Sequence, residues 1–299
     1  MTSNTRTASP EKRASDSPVS DNDALTDGDG DRHFVTALAR GLDVLRCFRS
    51  GDTFLANHEI AERCQLPRST ITRLTYTLTK LGYLYVMPET GKYRLGAGAI
   101  ALGSAMLVKL DVRQIARPLM QDLAADVGSL VALATRDRMA MLHLECCRAN
   151  SVVTLNMDVG TRIPLATTSM GRAYLAAIEP GERAELLERI RSFDEGAWPT
   201  VKRGIDKALA EYAETGCCSS VDEWLKGVSG IGMPFRPGRG LPVMVVNVGG
   251  ATQDLSAERL FQEVRPRLIQ VVNTIRLELG QIDEHAGAPL SSGDACAPR

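Results

Sequence analysis

Along the first third of the chain the apolar positions keep a helical period. Leu38, Leu42, Leu45 and Phe48 recur at three- and four-residue steps, which predicts a first helix that stops before Ser50-Gly51-Asp52. Asn57 is the predicted N-cap of a short second helix carrying Ile60, Ala61 and Cys64 inward, and Gln65-Leu66-Pro67 breaks it. A third helix starts near Pro67, a residue tolerated in a first helical turn. Its inward face reads Ile71, Leu74, Leu78 and Leu81, and Gly82 ends it. Strand alternation then replaces the helical period over residues 83–87, with a turn at 88–91 and a returning strand at 92–95. Residues 32–96 thus predict a winged helix-turn-helix domain.

Residues 97–110 are alanine-rich and carry Ile100, Leu102, Met106, Leu107 and Leu110, which predicts a linker helix with an apolar surface. Either its own domain or a second copy of the chain would cover that surface. The next helix puts Val112, Ile115, Leu119 and Leu123 on one side. Strand-like runs follow at 130–135, 139–146 and 152–157, with Asp137-Arg138 as a turn, then helices at 170–178, 182–191 and 201–215. Further strands are predicted at 217–221, 227–235 and 242–248, and a long helix using Leu260, Val264, Leu268, Val271, Ile275 and Leu279 closes the chain. Hairpins mixed with helices predict an antiparallel sheet with flanking helices, so residues 111–283 read as an α+β domain.

The chain has 299 residues, enough for two domains at about 100 to 200 residues each, and 44% of it is hydrophobic. Its net charge of -1 hides a strong asymmetry. Residues 1–31 hold three basic and seven acidic residues with almost no large apolar ones, and are expected to be disordered, as are residues 284–299. Residues 32–96 hold ten basic and five acidic residues, the outline of a nucleic-acid-binding module joined to a more acidic one. No apolar run reaches the roughly 18 to 20 residues needed to span a bilayer, and the polar N-terminus lacks a signal-peptide pattern, so a cytoplasmic protein with no membrane contact is expected. The seven cysteines are odd in number and lack C-x-x-C spacing, which argues against a disulfide framework or a zinc site. No glycine-rich phosphate loop follows a strand, and no cofactor is expected.

The outer face of the third helix displays Arg68, Ser69, Thr70, Thr72, Arg73 and Tyr76. Arginine can bond two acceptors on a guanine edge, and hydroxyls bond bases or phosphates, so this set suits a helix lying in the major groove. A solvated helix in a small bundle would look similar. The hairpin that follows, with Lys92 and Arg94 on it, favours double-stranded DNA. Further on, Thr168, Ser169 and Met170 open a predicted helix, where hydroxyls and free N–H groups attract a carboxylate; an ordinary N-cap by Thr168 or Ser169 is the competing reading. His143, Glu145, Cys146 and Cys147 are chemically rich, but strand alternation would put only His143, Glu145 and Cys147 on one face. No catalytic arrangement follows, and the expectation is a protein that is not an enzyme.

Several motifs together resemble one family. Residues 34–45 (FVTALARGLDVL), Ile60-Ala61, residues 66–73 (LPRSTITR), 81–84 (LGYL) and 93–96 (YRLG) are similar to IclR-type bacterial transcriptional regulators. So are residues 163–175 (IPLATTSMGRAYL), Gly227-Val228 and residues 231–234 (IGMP). The segment FVTALARGL is most similar to members that control the breakdown of aromatic compounds. The resemblance implies a GAF-like or profilin-like effector domain that senses a small organic acid. It also implies a homodimer or a dimer of dimers acting on an operator, and contact with RNA polymerase. It assigns Ser169 and Met170 to effector-contacting loop positions, Val152 and Ile163 to the pocket wall and Asn247 to a polar strand position. Gly230 and Ser220 depart from it, since many relatives carry a thiol at the first and some an acid at the second; Asp222 and Glu223 stand nearby. A redox-controlled regulator using cysteines of the second domain, and an architectural DNA binder without a ligand, are the alternative functions.

Overall fold

The computed structural model describes residues 33–49, 51–107, 111–149, 155, 157–238 and 240–280. The tails predicted to be disordered, Val152 and most of the strand expected at 152–157 lie outside these residues. The N-terminal part is three helices and a hairpin: α1 (Thr36–Arg46), α2 (Asn57–Cys64), α3 (Arg68–Lys80), β1 (Leu84–Val86) and β2 (Tyr93–Leu95). Its core joins Val44 of α1 and Cys47, which caps that helix, to Ile60 and Ala61 of α2, Ile71 and Leu78 of α3, and Leu84 of β1.

Three sequence expectations change here. The buried face of α1 is Val44 and Cys47 with half-buried Leu45 and Phe48, whereas Leu38 and Leu42 are 62% and 48% exposed. Leucines at four-residue steps therefore mark an outward stripe, not the core. In α3, Thr75 takes an inward position that leucine spacing assigned elsewhere; its hydroxyl donates to the Ile71 carbonyl at 2.9 Å, which satisfies the only polar group it brings inside. Leu81 is exposed at the helix end. Ala56, not Asn57, is the N-cap of α2, and the Glu59 carboxylate accepts its N–H at 2.6 Å. Gln65 closes α2 in the left-handed region at φ 54°, which sets the sharp corner before α3.

After α4 (Ala97–Leu107) and α5 (Asp111–Val127) comes a six-stranded antiparallel sheet, in the order β5-β4-β3-β8-β7-β6. Its strands are β3 (Leu130–Asp137), β4 (Ala140–Cys147), β5 (Arg162–Pro164), β6 (Cys218–Val221), β7 (Val228–Phe235) and β8 (Met244–Ala251). The expected α+β class is what forms. One face packs on α5 and on α10 (Arg265–Glu278), burying Met120, Leu123, Leu268, Val272 and Ile275. Ahead of α10, a short α9 (Ala257–Arg259) and a π-helical turn (Leu260–Val264) begin the closing helix. The other face packs on α6 (Ser169–Ala177) and α8 (Trp198–Thr215), with α7 (Pro180–Phe193) contributing Leu186. Strand β5 was not expected: at three residues it is too short to show alternation.

A bulge in β4 decides which chemistry faces which layer. Leu133 pairs with Glu145 but Ala134 pairs with His143, so Leu144 is an extra residue. Upstream of the bulge Met141 and His143 face α6; beyond it Glu145 and Cys147 face α5 and Cys146 returns to the α6 side. The expected grouping of His143 with Glu145 and Cys147 is therefore corrected. Glu145 is instead held by Arg113 and Arg117 of α5, each at 2.6 Å.

Ion pairs join the two parts of the molecule. Arg46 of α1 reaches Asp137 at 2.5 Å, Arg162 of β5 reaches the same carboxylate at 2.9 Å, and Arg138 pairs with Asp43 at 2.8 Å. Burial would raise the Asp137 carboxyl, but hydrogen bonds from Arg162 and Arg46 outweigh it and hold it below the usual range.

Candidate nucleic-acid interface and ligand pocket

On α3, Arg68, Ser69, Thr72, Arg73 and Tyr76 are exposed and Thr70 is half-buried. Arg68 and Arg73 make no ion pair among the described residues, which leaves both guanidinium groups available to an incoming anion. Thr72 is already engaged: its hydroxyl donates to the Arg68 carbonyl at 2.9 Å and accepts from Asn57 at 3.4 Å. Lys80 lies over the Tyr76 ring at 5.6 Å, a cation that spacing alone did not single out. On the hairpin, Lys92 and Arg94 are exposed, and Arg94 stacks over Tyr85 at 4.9 Å, which restricts where its guanidinium can point. The surface carries exposed cations on a helix and on the adjacent wing, with their backbones fixed by one small core.

In the second part, a cleft opens between the sheet and the start of α6. Leu130 and Ala132 of β3 form an apolar floor, and Leu155, Met157 and Ile163 line it as well. Thr168 serves as the N-cap: its hydroxyl accepts from the Gly171 N–H at 3.0 Å and donates to the Pro164 carbonyl at 2.7 Å. Ser169 is then left to the cleft, where its hydroxyl donates to Asn247 Oδ1 at 2.6 Å. The N-cap reading therefore falls on Thr168, and Ser169 is the hydroxyl that lines the cleft. Met170 does not line the cleft; its side chain is fully buried in the core between α6 and the sheet.

Gly230 and Gly249 line the cleft beside Asn247. A Cβ on Gly230 would stand 2.8 Å from Ser169 Oγ and 2.9 Å from the Val248 carbonyl, so the absence of a side chain keeps the polar end open. Ser220 also lines it, and its hydroxyl donates to the Thr167 carbonyl at 2.9 Å. The nearby acids are occupied. Asp222, in the left-handed region at φ 56°, accepts the Gly227 N–H at 2.7 Å and the Thr252 hydroxyl at 2.9 Å. Glu223 pairs with buried Arg172 at 2.7 Å, and a Cβ on Gly204 would collide with that guanidinium. Directly after them the loop carries Trp224, which lines the cleft and whose role sequence reasoning missed.

Residues 104–277, more than half of the chain, match the family model described as bacterial transcriptional regulator IclR C-terminal, and residues 37–88 match the IclR helix-turn-helix domain. The chain belongs to the IclR family. It is similar to the HTH-type transcriptional regulator TsaQ1/TsaQ2 of Comamonas testosteroni, at 34% identity over 82% of this chain and 88% of that protein. An IclR-family regulator from Brucella abortus of known crystal structure superposes with a TM-score of 0.74, at 42% identity, over 83% of this chain and 94% of the other. An IclR homologue from Microbacterium hydrocarbonoxydans, crystallised with 4-hydroxybenzoate, gives a TM-score of 0.64 at 25% identity, over 82% and 99% of the two chains. This IclR-family chain is therefore a DNA-binding transcriptional regulator with a C-terminal effector-binding domain, from a family of regulators and not of enzymes. Among the described residues, no helix is long and apolar enough to cross a membrane.

The IclR-family cleft also contains His143, which sequence reasoning treated only as a catalytic candidate. The imidazole is buried, and its Nδ1 stands 3.8 Å from Cys146 Sγ. Burial, and secondarily the positive charge of Arg148, lower its pKa to about 4. The unfolded imidazole titrates near 6.5, so between these values the unfolded chain binds more protons and stability falls as pH drops. That amounts to about 3 kcal/mol between pH 7 and pH 4. Urea unfolding at the two pH values should show a correspondingly smaller acid loss in His143→Phe; equal losses would contradict a neutral buried imidazole.

Burial raises the thiols of Cys146 and Cys217 to about 12 and that of Cys147 to about 11, and it also raises Cys218. Thiols so far from ionisation are poor nucleophiles and give the redox alternative no support.

Proposed function

We propose that the protein activates or represses a catabolic operon in response to a small organic acid, aromatic in kind, bound in the cleft beneath α6. The observation that carries this reading is the polar end of the cleft. Ser169 and Asn247, hydrogen-bonded to each other at the start of α6, line the cleft opposite its apolar residues. Such an end suits a carboxylate, since helix N–H groups and their dipole favour negative charge while the apolar walls take a ring. In this reading Thr168, Ser169, Gly230 and Asn247 hold the acid, and Ile163 forms part of the wall. Support also comes from relatives. One of them carries 4-hydroxybenzoate, and the chain is 26% identical to the Pca regulon regulatory protein of Pseudomonas putida over 80% of its length.

At the operator, α3 enters the major groove with Arg68 and Arg73 as the chief contacts. Ser69, Thr70, Thr72 and Tyr76 support them, and Lys92 or Arg94 reaches the flanking backbone. The functional boundaries follow: a DNA-binding domain at 32–96, a linker at 97–110 and an effector domain at 111–283. The exposed stripe of Val35, Leu38 and Leu42, together with Ile100 and Leu102 of α4, is the face on which a homodimer or a dimer of dimers forms. The protein works in the cytoplasm, where operator and RNA polymerase are. Ligand and DNA communicate through the linker and through Arg162, which adjoins Ile163 in sequence and shares Asp137 with Arg46 of α1.

Coupling requires that the acid bind the two arrangements unequally, typically by about 1 to 3 kcal/mol, or roughly 5- to 150-fold in affinity. Operator affinity of the full chain, measured with and without saturating benzoate or 4-hydroxybenzoate, should change by that factor. Gly230→Ala drives Ser169 off its position and should lose the response. No change with either acid contradicts the reading.

A further inference from the structure

We propose that His143 is the second anchor of the effector and makes this cleft select an acid whose far end carries a hydroxyl group. The inference rests on the reading of the α6 end of the cleft as the carboxylate site.

The polar side chains lining the cleft are unevenly placed. Thr168, Ser169, Ser220, Ser229 and Asn247 belong to the start of α6 and to β6, β7 and β8, and each already has a partner: Thr168 caps α6, Ser169 bonds Asn247, Ser220 bonds the Thr167 carbonyl and Ser229 bonds Thr252. His143 stands apart on β4, across the apolar floor of β3. Its ring is 2% exposed, and its side-chain contact among the described residues is the long one with Cys146. Nδ1 has the Cys146 thiol 3.8 Å away, and no other hydrogen bond of the ring is present among the described residues, so the ring has bonding capacity to offer a ligand group in the cleft.

Register supplies the span. Ala132 pairs with Asn247 on one side of β3, and Ala134 pairs with His143 on the other. Two strand spacings and a two-residue offset put the Cα atoms of His143 and Asn247 roughly 12 Å apart. Both side chains rise from the same face of the sheet, so their polar ends are separated by a distance of that order, about the span of a para-substituted aromatic ring with a hydrogen bond of about 2.8 Å at each end. The β4 bulge makes the placement possible, because it keeps His143 on the cleft side while the next carboxylate, Glu145, turns to α5.

The neutral state of the ring selects the substituent. A neutral imidazole has one nitrogen that donates and one that accepts, which matches a hydroxyl and gives a second carboxylate no charge to meet. The charged groups facing this corner are Arg148 and Asp158, and they pair with each other at 2.8 Å.

The test is a titration of the full chain with benzoate and with 4-hydroxybenzoate, read by calorimetry in the wild type, His143→Phe and His143→Gln. The ratio of the two affinities is the readout, because general damage to the fold lowers both. The wild type should prefer 4-hydroxybenzoate by about 10- to 100-fold. His143→Phe should bring the ratio near 1, and His143→Gln, which keeps a donor and an acceptor, should stay between them. If the phenylalanine variant does not fold, the glutamine variant and the wild-type ratio decide. Equal binding of both acids by the wild type, or an unchanged ratio in the variants, overturns the role of His143 alone. Binding of neither acid overturns the carboxylate site, and this inference with it.

Discussion

Replacing Gly171 with alanine is expected to destabilise the effector domain by about 3 kcal/mol and to lower its melting temperature by roughly 6 to 12 °C. A Cβ at this position would stand 2.0 Å from the Leu165 carbonyl oxygen and 2.5 Å from the carbonyl carbon. Both atoms belong to the backbone, so no rotamer change relieves the overlap, and either α6 or the 165–168 segment must move. Movement there also breaks the cap, because the Gly171 N–H is the donor to Thr168 Oγ1. The variant should therefore lose organic-acid binding along with stability. A scanning calorimetry trace unchanged from the wild type would show that α6 does not sit against this loop as described.

Arg73→Ala is expected to weaken operator binding by about 1 to 3 kcal/mol, roughly 5- to 150-fold, with little change in melting temperature. The side chain is exposed, lies one helical turn into α3 and makes no ion pair among the described residues, so its removal disturbs no internal contact. If it contacts a base edge, the loss falls on the operator and not on scrambled DNA. If it contacts phosphate, both weaken together and the salt dependence drops by about one charge. Fluorescence anisotropy with the two DNAs separates these cases. Full operator affinity in a folded Arg73→Ala protein removes the residue from the interface.

How much of this could be read from the sequence depended on how local each signal was. The three helices and the hairpin of the first part were legible because capping, breaking and alternation are properties of neighbours in sequence. The direction of α1 was not: Leu38 and Leu42 share the helical spacing of core leucines, and spacing cannot tell an inner stripe from an outer one. The same limit hid Thr75, whose hydroxyl is satisfied by its own helix. In the second part, the strands and helices were found near their observed places, but the β4 bulge inverted the side assigned to Glu145. A single extra residue flips everything beyond it, and strand alternation carries no mark of it.

The cleft was legible where one segment builds it and obscure where distant ones meet. Thr168 and Ser169 were visible as a helix start. Met170 was carried along by adjacency, yet a helix turns each successive residue by about 100°, which sends it into the core. Trp224 and His143 reach the cleft from a loop and a strand far apart in sequence, and neither had a local pattern to announce it. The bridge from Arg46 to Asp137 and Arg162 joins residues nearly a hundred positions apart.

The most direct test of the account is the affinity of the full chain for the DNA upstream of its own gene, against a scrambled duplex of the same length, at two salt concentrations. A winged-helix regulator reading bases through α3 should bind the native DNA tighter by at least about a thousand-fold, and both affinities should fall steeply with salt as counterions are released. Equal affinity for the two duplexes, or binding indifferent to salt, would contradict it.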